Sequence, residues 1–374
     1  MIYTSEPNIS KKENLLVEKS LKKNLISSYG NDIALFERKF SKLLGFKETI
    51  ALNSGTSALH IALLANGVKK NDLVIVPNFS FAATANAVIY CGAEPWFHDI
   101  ENNKFSIDIK QVFKSLEKNT FLKKGERLHK ITNQRVSCMI PVTTFGNSID
   151  FKEIIKIKKK FKINVIVDGA SAHFAKYKNK TLGSTGLDFI FSFNGNKGLS
   201  TGSGGIYATQ KSSKIKTAKI LINVGQGKKK YSYNHLGYNY KMNNIQANIG
   251  IAQLTRYKYF YNQKKNIYQF YKNKIKSSKN IKNFFNLSNG DGYFWVYPIL
   301  VKKNKLKFFL FLKNKKIILS HFWKALSKQK PYRNFMCENV YNSENITKNI
   351  ICLPSSTFLS NRELNKIVKT INNF

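Results

Sequence analysis

The chain has 374 residues and a mass of 42.8 kDa, and 62 Lys and Arg against 21 Asp and Glu give a formal net charge of +41. With 43% hydrophobic and 13% aromatic residues it can bury a sizeable core, which excludes a disordered basic tail protein and favours one large domain plus a smaller one. No run approaches the roughly 18 apolar residues of a membrane span. The opening MIYTSEPNISKKENLL lacks the apolar stretch of a secretory signal, so a cytoplasmic chain is expected. Cys91, Cys138, Cys337 and Cys352 lie far apart, so neither a metal site nor a disulfide framework is expected.

Residues 31 to 46 carry apolar side chains at Ile33, Leu35, Phe36, Phe40, Leu43 and Leu44, a helical spacing that Gly45 stops. The apolar Ile50 to Leu52 meets Asn53-Ser54-Gly55-Thr56-Ser57, and a helix is expected over Ala58 to Asn66, ended by Gly67. Strand, polar turn and helix in this order build a parallel sheet covered by helices. Val74 to Val76 reads as a further strand and Phe81 to Tyr90 as a helix. Val136 to Val142, Asn164 to Val167 and Phe189 to Phe193 read as strands, with Gly204 to Ala208 running back beside the last. From Asn244 to Lys274 one long aromatic-rich helical pattern suits a connector to a second domain, and short strands and helices follow to Phe374.

The charge admits two readings. Such an excess is the footprint of a protein that binds nucleic acid or an anionic membrane. Here it is spread through Lys-rich runs such as Ile155 to Lys162, Lys228 to Lys230, Lys272 to Lys282 and Lys302 to Lys316. That pattern favours a drift of composition placed on solvated faces. A basic nucleic-acid-binding protein with a vestigial cofactor site stays as the alternative from a different class. No helix-turn-helix, RNP or zinc pattern supports it.

Three segments carry chemistry. Gly55, Thr56 and Ser57 at the start of a helix present N–H groups and hydroxyls that suit a phosphate, although the same residues serve as ordinary caps. Asp168 ends the apolar strand Val165-Ile166-Val167, at the sheet edge where open α/β folds bind ligands. It is read either as the partner of a pyridine nitrogen or as a cap for Gly169-Ala170-Ser171. Lys197 lies between an aromatic strand and the turn Thr201 to Gly205, where an amine can be desolvated as a Schiff-base lysine requires.

In this order the three segments resemble the sugar aminotransferases of the DegT/DnrJ/EryC1/StrS family. The resemblance rests on NSGTSALHIAL (53–63), PNFSFAATANAVIYCGAEPWFHDI (77–100), TTFGNSID (143–150), VDGASAH (167–173), FSFNGNKGLSTGSGG (191–205) and LGYNYKMNNIQANIGIAQL (236–254). It weakens to HFWKALSKQKPY (321–332) and ICLPSS (351–356). It implies an α/β chain of PLP-dependent transferase fold type I, like aspartate aminotransferase. Residues 1–250 would form a large mixed-sheet domain covered by helices, with segment 1–30 at the active site or dimer interface. Residues 251–374 would form a smaller α+β domain.

The same resemblance implies pyridoxal 5′-phosphate as cofactor and L-glutamate and a nucleotide sugar as substrates. It implies a homodimer with shared active sites, and neither a membrane nor a specific nucleic acid as partner. Lys197 matches the lysine that holds the cofactor covalently and moves the proton. Asp168 matches the ring-nitrogen partner, and Gly55, Thr56 and Ser57 match the phosphate turn. Ser192 and Asn194 match further cofactor contacts, Phe81 the aromatic that stacks on the ring, and Asn239 the asparagine that reaches the partner subunit's phosphate. Ser171 stands where a longer polar residue usually meets the ring hydroxyl, Thr143 where a histidine is usual, and Lys241 replaces an arginine. The form SFNGNK and the extra segment Phe121 to Arg135 resemble enzymes acting at C4 of UDP-linked 4-keto-6-deoxy-N-acetylhexosamines for surface glycans. Enzymes acting on GDP sugars of the perosamine type, or on 3-keto sugars, are the alternatives. Trp323, Gln329 and Tyr332 are candidate substrate contacts, or packing residues.

Overall fold

The computed structural model describes every residue except 102, 103, 148, 174, 228, 230, 284–291, 293 and 294. Lys228 and Lys230 of one basic run, and position 148 of the TTFGNSID segment, therefore lie outside the described residues. Among the described residues seven strands form the central sheet: β1 (Glu48–Leu52), β2 (Leu73–Pro77), β3 (Glu94–His98), β4 (Val136–Met139), β5 (Asn164–Asp168), β6 (Asp188–Ser192) and β7 (Gly205–Thr209). Their spatial order is β1-β7-β6-β5-β4-β2-β3. Only β7 is antiparallel to its neighbours, pairing Ile190 with Tyr207 on one side and Ile50 with Tyr207 on the other. The strand running back from the Gly-rich turn is thus where the sequence puts it, and the sheet is mixed.

Strand alternation decides what each face carries. Phe189, Phe191 and Phe193 project to one face and pack edge-on against Phe40, Phe46 and Phe36 of the N-terminal part of the chain. Ile166 and Ile190 turn to the other face, where helix Gly55–Ala65 buries Leu59, Ile61, Ala62 and Leu63. Asp168 and Ser192 follow Ile166 and Ile190 by two residues, so the pleat gives them that same face at the carboxyl ends of β5 and β6.

Helix Asn31–Leu44 stops at Gly45, whose φ of 72° is the left-handed cap that a glycine supplies. The pattern read as one helix over 244–274 is two, Asn244–Thr255 and Tyr257–Lys274. The break is at Arg256, whose guanidinium reaches the side chain and carbonyl of Asn8 at 2.8 and 3.2 Å. Beyond it Ile281–Lys282, Tyr297–Val301 and Ile350–Leu353 make a three-stranded antiparallel sheet, accompanied by helices Lys305–Asn314, Tyr341–Asn349 and Asn361–Asn372. The first strand of the chain, Ile2–Tyr3, pairs in parallel with Ile317–Ile318 and not with the central sheet. That pairing leads Thr4 and Ser5 to the end of the sheet where Asp168 lies.

Gly250 marks a close helix contact in this arrangement: a Cβ there would stand 2.5 Å from the buried ring of Phe36. Gly250→Val is expected to destabilise the fold by about 1–3 kcal/mol through overpacking. Urea denaturation measures the shift.

Candidate active site

At the carboxyl ends of β1, β5 and β6 the chain closes a cavity of about 330 Å³. One wall is the first turn of helix Gly55–Ala65. Ser54 caps it in an extended conformation, accepting the Ser57 N–H at 3.1 Å. The Gly55 and Thr56 N–H groups belong to the opening turn, whose donors have no partner inside the helix. Gly55 has to be glycine, because a Cβ would lie 2.7 Å from Ser192 Cβ. Gly205 lets β7 approach as closely from the other side, its missing Cβ falling 2.3 Å from the Ser54 carbonyl. The result is a narrow cup of N–H groups and hydroxyls with the positive end of a helix dipole behind it.

Asp168 forms part of the floor. Its Oδ2 accepts from Thr84 Oγ1 at 2.9 Å and its Oδ1 from the Ala170 N–H at 3.1 Å. The second bond is the local cap that one of the two readings of this residue expects. Burial raises its pKa, while those two hydrogen bonds and the Lys197 charge act the other way. From below, Thr143 donates its N–H and its hydroxyl to the Asp168 carbonyl, at 3.0 and 3.1 Å. His173 donates Nε2–H to the Ser192 carbonyl at 2.7 Å, and burial keeps its ring neutral, with a pKa near 3.

Lys197 reaches into the same cavity and donates to Ser171 Oγ at 3.2 Å. Desolvation lowers its pKa to about 8 against the attraction of Asp168. A second buried amine, Lys264, is pushed down to about 7 by burial. Its protons go to the carbonyls of Trp295 and Ser355 at 2.8 and 2.5 Å, so it serves the fold.

The cavity gathers Gly55, Thr56, Phe81, Asp168, Ser171, Ser192, Asn194, Lys197 and Trp323. Phe81 is 58% exposed, an apolar ring in the cavity lining. Four anticipated residues are placed elsewhere. Ser57 Oγ donates to Asn53 Oδ1 at 2.7 Å inside the cap. Asn239 is exposed, its carbonyl beside the Asn53 amide. Of the three substrate-contact candidates, Trp323 lines the cavity, Gln329 is half-buried and turns its amide to the Lys324 carbonyl at 3.3 Å, and Tyr332 is 3% exposed, its hydroxyl given to Asn86 Oδ1 at 2.6 Å.

Sequence reasoning missed Thr84 and Trp295. A hydroxyl pair, Ser80 with Thr84 at 2.8 Å, opens an otherwise apolar helix and is a usable signal for the first. Nothing local marks Trp295, whose ring lies over the Lys197 amine, 3.8 Å from its centroid.

An amine, a carboxylate, a hydroxyl-lined helix terminus and a phenyl ring on one cavity are the donor set for a flat phosphorylated aldehyde, and they define a pyridoxal-phosphate transferase of fold type I. The comparisons agree. The model of the DegT/DnrJ/EryC1/StrS aminotransferase family matches residues 7–372. GDP-perosamine synthase of Escherichia coli O157:H7 is 31% identical over 385 residues, covering 99% of this chain and 97% of that protein. UDP-4-amino-4,6-dideoxy-N-acetyl-beta-L-altrosamine transaminase of Campylobacter jejuni (serotype O:23/36, strain 81-176) is 32% identical over 309 residues, covering 80% and 77%. The crystal structure of a family aminotransferase from Brucella abortus superposes with a TM-score of 0.89 at 24% identity, covering 97% of this chain and 95% of that one.

The chain belongs to the DegT/DnrJ/EryC1/StrS aminotransferase family, and it is a transaminase whose cofactor is pyridoxal 5′-phosphate. If Tyr332 is a packing residue, Tyr332→Phe costs about 1 kcal/mol for its lost hydrogen bond and leaves every substrate KM unchanged. Thermal melts and initial-rate kinetics on the variant check both halves.

Proposed function

We propose that the chain moves an amino group from L-glutamate to the C4 keto carbon of a nucleoside-diphosphate 4-keto-6-deoxy sugar, with a UDP-linked N-acetylhexosamine as acceptor, in the cytoplasm and for surface-glycan synthesis. The observation that carries the reading is the Lys197 amine, desolvated to a pKa of about 8 and set in one cavity with Asp168. Pyridoxal phosphate, when bound, supplies an electron sink and a carrier for the amino group. Lys197 would bond the cofactor, and when released its Nζ would take and return the proton at the reacting carbon. A pKa near the working pH suits an acid–base group of that kind. Asp168 would keep a proton on the ring nitrogen. Gly55, Thr56 and Ser192 would hold the phosphate and Phe81 would cover the ring. Ser171 and Asn194 would complete the contacts.

The acceptor is the finer part of the proposal. The UDP reading is supported by the 32%-identical altrosamine transaminase and by the segment around the hairpin of strands Thr120–Lys123 and Glu126–His129. One specific observation favours a GDP sugar instead: the perosamine synthase aligns with nearly the whole chain. The working unit in this reading is a homodimer. Exposed Tyr231, Tyr233 and Leu236 stand on the same segment as Asn239, the residue that would reach the partner's phosphate.

A panel of UDP- and GDP-linked 4-keto and 3-keto sugars with glutamate as donor tests the proposal, product mass and regiochemistry being read by mass spectrometry and NMR. Amination of the UDP-linked 4-keto N-acetyl sugar with the highest kcat/KM is expected, and preferential use of a GDP sugar would transfer the assignment. Lys197→Ala is expected to lower kcat by about 10²- to 10⁴-fold or more, the size of a lost proton-transfer group. Asp168→Asn is expected to lower kcat by about 10²-fold or more, as for removal of one preorganised electrostatic partner.

A further inference from the structure

Trp295 lies outside every motif of the sequence, yet it is fixed against the reactive segment from several sides. Its ring is 2% exposed and its face covers Lys197 Nζ, 3.8 Å from the centroid. Its Nε1–H donates to the Asn196 carbonyl at 2.7 Å. That carbonyl belongs to the peptide bond leading into Lys197, and it also accepts from Ser5 Oγ at 2.8 Å. The backbone of Trp295 is pinned as well, its N–H donating to the Phe145 carbonyl at 3.2 Å and its carbonyl accepting from Lys264 at 2.8 Å. A side chain anchored at both backbone and ring nitrogen has little freedom to leave the amine.

We propose that Trp295 is a positioning residue for Lys197: whenever the amine is not bonded to the cofactor, the indole face receives its ammonium form, and the Nε1–H bond holds the backbone from which the side chain rises. The inference rests on the preceding reading of Lys197 as the group that moves the proton. The physical need for such a device is plain. Burial disfavours the ammonium form, and Asp168 works against that from the floor of the cavity. A π face adds attraction for the charged form without supplying a base that competes for the proton. The other titratable groups near the amine do not take this part. His173 is held neutral by burial and gives its Nε2–H to the Ser192 carbonyl, the His321 ring lines the cavity but is stacked on Phe309 at 4.3 Å between centroids, and Lys264, whose pKa burial lowers, gives its protons to the Trp295 and Ser355 carbonyls. The indole therefore shares with Asp168 the task of keeping a released Lys197 charged and aimed.

The test uses the full chain loaded with pyridoxamine 5′-phosphate, in which Lys197 is free. Trace acetic anhydride labelling across pH, read on the Lys197 peptide by mass spectrometry, gives the protonation midpoint of that one amine. Trp295→Leu keeps the site apolar but removes the π face, and the midpoint is expected to fall by about one pH unit, a tenfold change in the protonation equilibrium. Trp295→Phe keeps a weaker face and is expected to fall by about a third of that, and it serves alone if the leucine variant does not fold. A midpoint that is unchanged or raised in either variant overturns the proposal, since a residue that only fills space or excludes water gives those results. Borohydride reduction of the wild-type protein reloaded with pyridoxal phosphate shows separately whether Lys197 is the lysine that bonds the cofactor, so failure of that reading is told apart from failure of this one.

Discussion

Two ionisable side chains, Asp168 and Lys197, share one cavity whose other described lining residues carry no formal charge at neutral pH, and burial opposes the charged form of each. Burial raises the carboxyl pKa and lowers that of the amine, and each charge offsets part of the other's shift. The sheet makes this pairing rigid. Asp168 and Ser192 owe their common face to strand alternation, and Gly55 and Gly205 allow the neighbouring backbone to approach to distances that a Cβ would forbid. Thr84, Thr143 and the Ala170 N–H then hold Asp168 by its carboxylate and its carbonyl. The site is thus a consequence of where strands end and of which residues lack a side chain.

Much of this was legible in the sequence because it depends on local order. β5 ending in Asp168 and β6 running into Ser192 follow from short apolar runs bounded by polar turns. So does helix Asn31–Leu44, with its stop at Gly45. Helix Gly55–Ala65 starts three residues before the apolar pattern does, because Ser54 caps it. What periodicity cannot give is contact between distant segments. The pairing of Ile2–Tyr3 with Ile317–Ile318, the break at Arg256 made toward Asn8, and the indole of Trp295 over Lys197 all join residues with no shared motif. Tyr332 and Gln329 stay open in the sequence for the same reason: in a weakly patterned region an aromatic or amide side chain reads equally as a contact or as packing.

The charge of +41 also acquires a place. Among the described residues that line the cavity, Asp168 and Lys197 are the ones with formal charge at neutral pH, so the excess is carried away from the chemistry. The most that the field of such an excess does for a reaction is to speed encounter with an anion. Lys264 shows that position, and not abundance, gives a lysine its character. It is as desolvated as Lys197, but both its acceptors are backbone carbonyls and it is bound into the fold.

The central claim is that Lys197 is the one lysine of this lysine-rich chain that bonds the cofactor. Borohydride reduction of the protein loaded with pyridoxal phosphate, followed by peptide mass mapping, tests it directly. The account predicts a single phosphopyridoxyl group on Lys197, at one per chain. A label on Lys264 or on several surface lysines, with Lys197 unmodified, would contradict it.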